Sequence, residues 1–266
     1  MRKALAVVAV LPVFLLSCTT APVTGRRQLA LIPTSTLHEM SFQTYQEFLA
    51  EHPPSASREQ TAMVGRVGQR IQQAVERYFA RHDMSDRLKD YEWEFTLIES
   101  PEVNAWCMPG GKVVVYTGIL PLARDEVGLA VVMGHEVAHA VAGHGNERMS
   151  QQLVVQLGGM ALERAVKEKP QQTKDLFLGA YGAGAHVGVL LPYSRTHELE
   201  ADHLGLLFMA MAGYDPREAV AFWERMAAYK KGGAPPEFLS THPSDRSRIL
   251  KIQELIPEAM GFYTPQ

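Results

Sequence analysis

Val127-Gly128-Leu129-Ala130-Val131-Val132-Met133-Gly134-His135-Glu136-Val137-Ala138-His139-Ala140-Val141-Ala142 is the stretch on which the fold turns. Apolar residues flank His135 and His139 on both sides, so a helix here would be buried. Two histidines and a glutamate inside such a helix are costly unless they are paired or metal-bound. The histidines are i and i+4, which on an α-helix leaves them about 40° apart around the axis. Both imidazoles then point the same way and can hold one Zn2+. Glu136 stands beside the first histidine, where it can reach a water on that metal without being a ligand.

Two histidines leave a tetrahedral catalytic zinc one protein ligand short, with water as the fourth. Candidates for the third are Glu198, Glu200, Asp202, His144, His186, His197 and His242. Ser194-Arg195-Thr196-His197-Glu198-Leu199-Glu200-Ala201-Asp202 reads as the start of another helix. Glu198 and Asp202 are again i and i+4 on one face, whereas Glu200 falls about 200° from Glu198. One carboxylate can bind the metal while the other orients a ligand histidine. Spacing alone does not say which does which.

Further towards the N-terminus, Tyr91 to Ile98 alternates Trp93, Phe95 and Leu97 with Glu92, Glu94 and Thr96, which is strand periodicity. Pro109-Gly110-Gly111, before Val113-Val114-Val115-Tyr116, reads as a hairpin turn. An extended substrate is expected to pair with an edge strand around Val113 to Tyr116. Ser57 is placed to cap a helix running to about Arg81, with Val64, Val67, Ile71, Val75 and Phe79 on one face. A preceding helix covers Ser35 to about Ala50, and from about Asp125 the pattern is helical almost to the end. These elements predict an α+β fold, mostly helical, with one small β-sheet beside the metal-binding helix. Leu176 to Tyr193 is apolar, but its four glycines, His186 and Pro192 favour a buried or site-covering helix over a membrane span.

The chain begins Met1-Arg2-Lys3, continues with an apolar run from Ala4 to Leu16, and reaches Ser17-Cys18. A basic start, a short apolar core and small residues form a secretory signal. Leu15-Leu16-Ser17-Cys18 resembles the lipobox of bacterial lipoproteins, which implies cleavage before Cys18 and lipid on its thiol and new amino group. Thr19 in place of an aspartate favours the outer membrane, facing the periplasm. The expected organisation is a signal peptide over 1–17, a lipidated Cys18 and tether over 18–34, and a single domain over 35–266. With Cys18 lipidated, Cys107 has no partner for a disulfide and reads as a small buried hydrophobe. The 266 residues are 46% hydrophobic, so the chain can bury a core. With 26 basic against 29 acidic residues it has no broad basic field, which excludes nucleic acid as an expected partner.

The H-E-x-x-H motif, followed about sixty residues later by S-R-x-x-E-x-E-A-D, resembles the zinc peptidase family of HtpX and the CAAX prenyl endopeptidase. Within it the chain most resembles the periplasmic lipoprotein branch, BepA-like and LoiP-like. Thr24-Gly25-Arg26-Arg27-Gln28-Leu29, Asn104-Ala105 through Pro109-Gly110-Gly111, and Ser240-Thr241-His242-Pro243-Ser244 with Arg246 match further segments of that branch. The resemblance implies a zincin-type (gluzincin) domain, with His135, His139 and Glu198 as zinc ligands and Glu136 as general base. It implies Asp202 as the carboxylate that orients a ligand histidine. It also implies that His242 lies near the metal and can close the site, with Arg246 as a supporting cation. The implied activity is a zinc endopeptidase of the bacterial envelope, acting on unfolded or misassembled envelope proteins and anchored to the membrane through lipid. The alternative is a chaperone-like assembly factor that partners the outer-membrane assembly machinery and carries a latent zinc site. The remaining histidines take ordinary roles: His38, His52 and His82 at the surface, His144 structural, and His186 and His197 undecided.

Overall fold

The computed structural model describes residues 18–22, 24–185, 191–229, 238–239, 242 and 246–265, with only the backbone of Cys18, 182–185 and 191–194. Residues 1–17, read as a signal peptide, and His186, Ser240, Thr241, Pro243 and Ser244 lie outside the described residues. Two compact units emerge: Ser35–Ala142 with Glu198–Gln266, and the N-terminal residues to Thr34 with Gly143–His197. Residues 143–197, expected within a single domain 35–266, thus group with the N-terminal segment.

In the larger unit, α1 (Thr34–Glu51) and α2 (Arg58–Arg81) lead into the sheet. The Ser57 side chain accepts from the Gln60 backbone N–H and caps α2, as its sequence predicts. Val64, Val67, Ile71, Ala74, Val75 and Phe79 form the buried stripe of that helix. The 3-4 spacing of these residues commits α2 to one core face. His38, expected at the surface, is instead buried on α1, stacked on Phe42 and edge-on to Tyr91. Burial lowers its pKa, against the raising influence of Asp90.

For clarity the strands are numbered along the whole chain. β1 (Cys18–Thr20) and β2 (Arg27–Leu29) belong to the smaller unit, while β3 (Glu94–Ile98), β4 (Ala105–Met108) and β5 (Lys112–Tyr116) form the sheet of the larger one. The order is β3-β5-β4, with β5 parallel to β3 and antiparallel to β4. β4 and β5 are the expected hairpin, turned by Gly110 and Gly111 at φ of 89° and 93°. A β-carbon on Gly110 would come within 2.5 Å of the Phe42 ring, so space as well as conformation demands glycine there. The position of β5 corrects one expectation. Its five residues are all buried and it is paired on both sides, so the edge beside the metal-binding helix belongs to β4. Buried strands read as continuous apolar runs, and Val113 to Val115 is such a run.

After a short α3 (Leu120–Ala123), α4 (Glu126–Val141) carries the two histidines. Asp125 caps it, accepting from the N–H groups of Val127 and Gly128 at 2.9 and 3.0 Å. Packing against α2, β4 and α8 (Glu218–Ala228) covers nearly its whole circumference. α7 (Leu191–Met211) crosses α4 where two glycines meet: a β-carbon on Gly205 would lie 3.0 Å from the His135 nitrogen. α9 (Arg246–Met260) completes this unit.

In the smaller unit, α5 (His144–Ala165) and α6 (Gln171–Ala185) pack together, and the residues read as a tether instead form the β1–β2 hairpin, with β2 against α5. Asn146 donates to the Ile32 carbonyl, and Ser150 accepts from the Leu31 N–H. Arg26 grips Glu147 with both ends of its guanidinium at 2.9 and 2.8 Å. Leu176 and Phe177 of α6 are exposed, which speaks against the buried form of the buried or site-covering helix expected over Leu176 to Tyr193. Among the described residues no helix is long and apolar enough to cross a membrane.

Candidate metal centre

His135 and His139 project from one face of α4, their ring centroids 4.6 Å apart and their Nε2 atoms 3.0 Å apart. Glu198 reaches across from α7. Its Oε2 lies 3.4 Å from His135 Nε2, and its Oε1 lies 3.3 Å from His139 Nε2. His242 Nδ1 stands 3.1 Å from His135 Nε2 and 3.1 Å from Glu198 Oε1. These four side chains offer ligand atoms that all lie within 4.8 Å of one another. Metal–nitrogen bonds of about 2.05 Å in a tetrahedron put ligand atoms roughly 3.3 Å apart, which is the spacing seen. Three imidazole nitrogens and a carboxylate are also the donor types that zinc takes, so the residues present fit a divalent metal.

Asp202, one turn after Glu198 on α7, places Oδ1 at 2.9 Å from His135 Nδ1. A hydrogen bond there puts the proton on Nδ1 and leaves the Nε2 lone pair facing the other ligands. Glu198 thus lies within the converging group, and Asp202 lies behind His135. Burial alone would raise Glu198, but bonds from His135, His139 and His242 hold it far below the usual carboxylate range. For His135, burial acts to lower the pKa, and Asp202 and Glu198 reverse it to a net rise.

Glu136 points elsewhere. Burial drives its pKa up to about 7, with His242 and Arg248 pulling down and Glu198 pushing up. Its Oε1 is buried without a hydrogen-bond partner, and the nearest cationic candidate is His242 Nε2 at 3.4 Å. An orphaned buried carboxylate oxygen beside a set of converging ligands is poised to take a proton from whatever enters.

One expected residue is replaced. Arg246 is exposed at the start of α9, and the cation of the site is Arg248. Arg248 forks onto Asp202 at 2.7 and 2.8 Å and stands 3.0 Å from Glu198 Oε2. The signal for it lay in the helical pattern: Arg248, Ile252 and Ala259 share the buried stripe of α9, and Arg246 falls about 200° from Arg248. His197 and His144 do not join the ligands. They stack on each other at 4.3 Å, and His197 Nε2 lies 2.8 Å from Glu147. Glu200 is buried outside the converging group. Cys107 is a free thiol on β4, pushed up well above its usual pKa by burial and by the nearby Glu136 charge.

A zincin-like metal centre on a mostly helical α+β scaffold is the class that this fold and site define. Comparison with known proteins gives it a family. The profile described as Peptidase family M48 matches residues 66–256. The chain belongs to that family. It is 37% identical over 242 residues to mitochondrial metalloendopeptidase OMA1 of Schizosaccharomyces pombe, covering 90% of this chain and 66% of the relative. Human OMA1 is 31% identical over 90% of this chain and 46% of its own length. The beta-barrel assembly-enhancing protease of Escherichia coli is 31% identical over 59% of this chain and 33% of its own. The expected leaning towards the BepA-like branch is therefore corrected: the OMA1 proteins match at up to 37% identity and over more of the chain. The chain spans at most 66% of the length of these relatives.

Proposed function

We propose that this chain is a zinc-dependent endopeptidase of the bacterial cell envelope that hydrolyses unfolded or misassembled proteins. The observation that carries the reading is the buried Oε1 of Glu136, which accepts no hydrogen bond and lies 3.4 Å from His242 Nε2, beside His135, His139 and Glu198. A purely structural metal site has no use for such a base. Zinc, when bound, supplies Lewis acidity that polarises a carbonyl and acidifies a water. Glu136 Oε1 would accept a proton from the attacking water and return it to the leaving amine. Asp202 keeps His135 in its ligand tautomer, and Glu198 supplies the negative charge of the set. The outer edge of β4, Ala105 to Met108, pairs with no further strand among the described residues and offers backbone groups for an extended substrate, which suits a broad taste for unfolded chains. The N-terminal signal and Cys18 support export and lipid anchoring, with the outer membrane favoured by Thr19.

A second reading rests on His242. With Nδ1 among the ligand atoms, it occupies the place that a substrate or water needs. That closed arrangement favours a latent site in a chaperone-like factor of outer-membrane assembly. One experiment separates the two. Soluble protein over residues 19–266, supplied with zinc, is incubated with an unfolded protein beside Glu136→Gln and His242→Ala. Cleavage that falls by about a hundredfold or more in Glu136→Gln establishes the peptidase. Activity appearing only in His242→Ala would mark the site as latent, and silence from every form would leave the binding role.

A further inference from the structure

Arg248 does more than balance charge. Its side chain is 5% exposed, and its guanidinium lies 3.8 Å from the centroid of the Trp223 ring. Nε and Nη2 are fixed by the two oxygens of Asp202. A fork held at two points and stacked on an indole has its third nitrogen aimed by construction. That nitrogen, Nη1, is 3.0 Å from Glu198 Oε2 and donates to the His242 carbonyl at 3.2 Å. Glu198 Oε2 is thus engaged by the cation while it also lies 3.4 Å from His135 Nε2 and 3.2 Å from His242 Nδ1, and Oε1 faces His139 at 3.3 Å and His242 at 3.1 Å. The same nitrogen holds the backbone of the residue that closes the ligand set.

We propose that Arg248 is the positioning residue of the centre: it fixes the Glu198 carboxylate against the ligand histidines and latches the His242 backbone over the site. Metal retention and closure then depend on a single side chain. The closure half rests on the second reading above, in which His242 shuts the site, whereas the retention half needs only a bound metal. A lysine at this position keeps the charge but offers a point donor in place of the fork, so charge and geometry can be separated.

The test uses zinc-loaded protein over residues 19–266 as wild type, Arg248→Lys, Arg248→Gln, His242→Ala and the Arg248→Lys/His242→Ala double variant. Thermal melting establishes folding, transfer of zinc to excess chelator measures retention, and the visible spectrum of the cobalt(II)-substituted protein reports ligand geometry. Arg248→Lys is expected to release zinc about tenfold faster, the scale seen for partners that orient metal ligands, and to alter the cobalt spectrum. His242→Ala is expected to accelerate zinc release in the wild-type background and to add little on top of Arg248→Lys, because the latch is already open. Arg248→Gln should exceed Arg248→Lys in rate. If it does not fold, the lysine comparison decides. A folded Arg248→Lys with wild-type release and spectrum overturns the proposal. An equal acceleration by His242→Ala in both backgrounds overturns the latch. Failure of the wild type to cleave peptides would count against the peptidase reading and leave the release and spectral results standing.

Discussion

Gly205→Ala and Gly65→Ala form a matched pair that probes the crossing of α4 and α7. Both glycines are helical, so each substitution gains about 0.9 kcal/mol of helix propensity. At Gly65, on α2, a new β-carbon meets nothing within 4 Å. Gly65→Ala should therefore stabilise the protein by nearly the whole propensity gain. At Gly205 the β-carbon would lie 3.0 Å from the His135 nitrogen and 3.1 Å from both Gly134 C and His135 Cα. These are backbone atoms of a buried helix and cannot turn aside. Restoring a carbon contact of about 3.6 Å requires the helices to part by roughly half an ångström. Overpacking of this kind costs about 1–3 kcal/mol, which leaves Gly205→Ala about 1 kcal/mol less stable than wild type and about 2 kcal/mol below Gly65→Ala. The same displacement carries Glu198 and Asp202 away from His135, so zinc affinity should fall with stability, while Gly65→Ala leaves affinity unchanged. Urea unfolding and chelator competition on the three proteins provide the assay. Equal stabilisation by both substitutions, with equal zinc affinity, would refute the reasoning.

Other expectations are more compact. Burial would raise the Glu147 carboxyl, but Arg26 and His197 outweigh it and hold it down to about 2, against 4.5 when free. A depressed acid stabilises the fold above its unfolded pKa and loses that contribution as pH falls through the folded value. Glu147→Gln should thus cost up to about 3 kcal/mol near neutrality, and the gap to wild type should close between pH 4.5 and about 2, read by urea unfolding across that range. Metal removal should lower the melting temperature, because free zinc at a thousand times its Kd adds about 4 kcal/mol to the folded state. The midpoint should rise again with zinc concentration, and a melt insensitive to zinc would argue against occupancy of this site.

Much of the site was legible because its parts are local. His135 with His139, and Glu198 with Asp202, are i, i+4 pairs, and a helix converts that spacing directly into a shared face. Ser57 and the α2 stripe were readable for the same reason. What escaped was non-local. The placing of β5 between β3 and β4 depends on a parallel pairing that no turn residue announces. The burial of His38 comes from Tyr91, more than fifty positions away. The exchange of Arg246 for Arg248 followed from weighing proximity to a motif above the helical stripe that continues to Ile252. Arg26 is paired with Glu147 across 121 positions, so a segment with Pro22, Gly25, Pro33 and several threonines reads as loose chain until its partner is seen.

The order in which the centre's residues leave the ribosome follows from the latch geometry. His135 and His139 emerge first, Glu198 and Asp202 later, and His242 with Arg248 last of all. Until Arg248 arrives, Asp202 and Glu198 have no guanidinium to neutralise them, and burying both would be costly. Metal is therefore expected to be held firmly only once Arg248 has emerged, and a ribosome-stalled chain that stops before it should retain zinc less well than one that includes it.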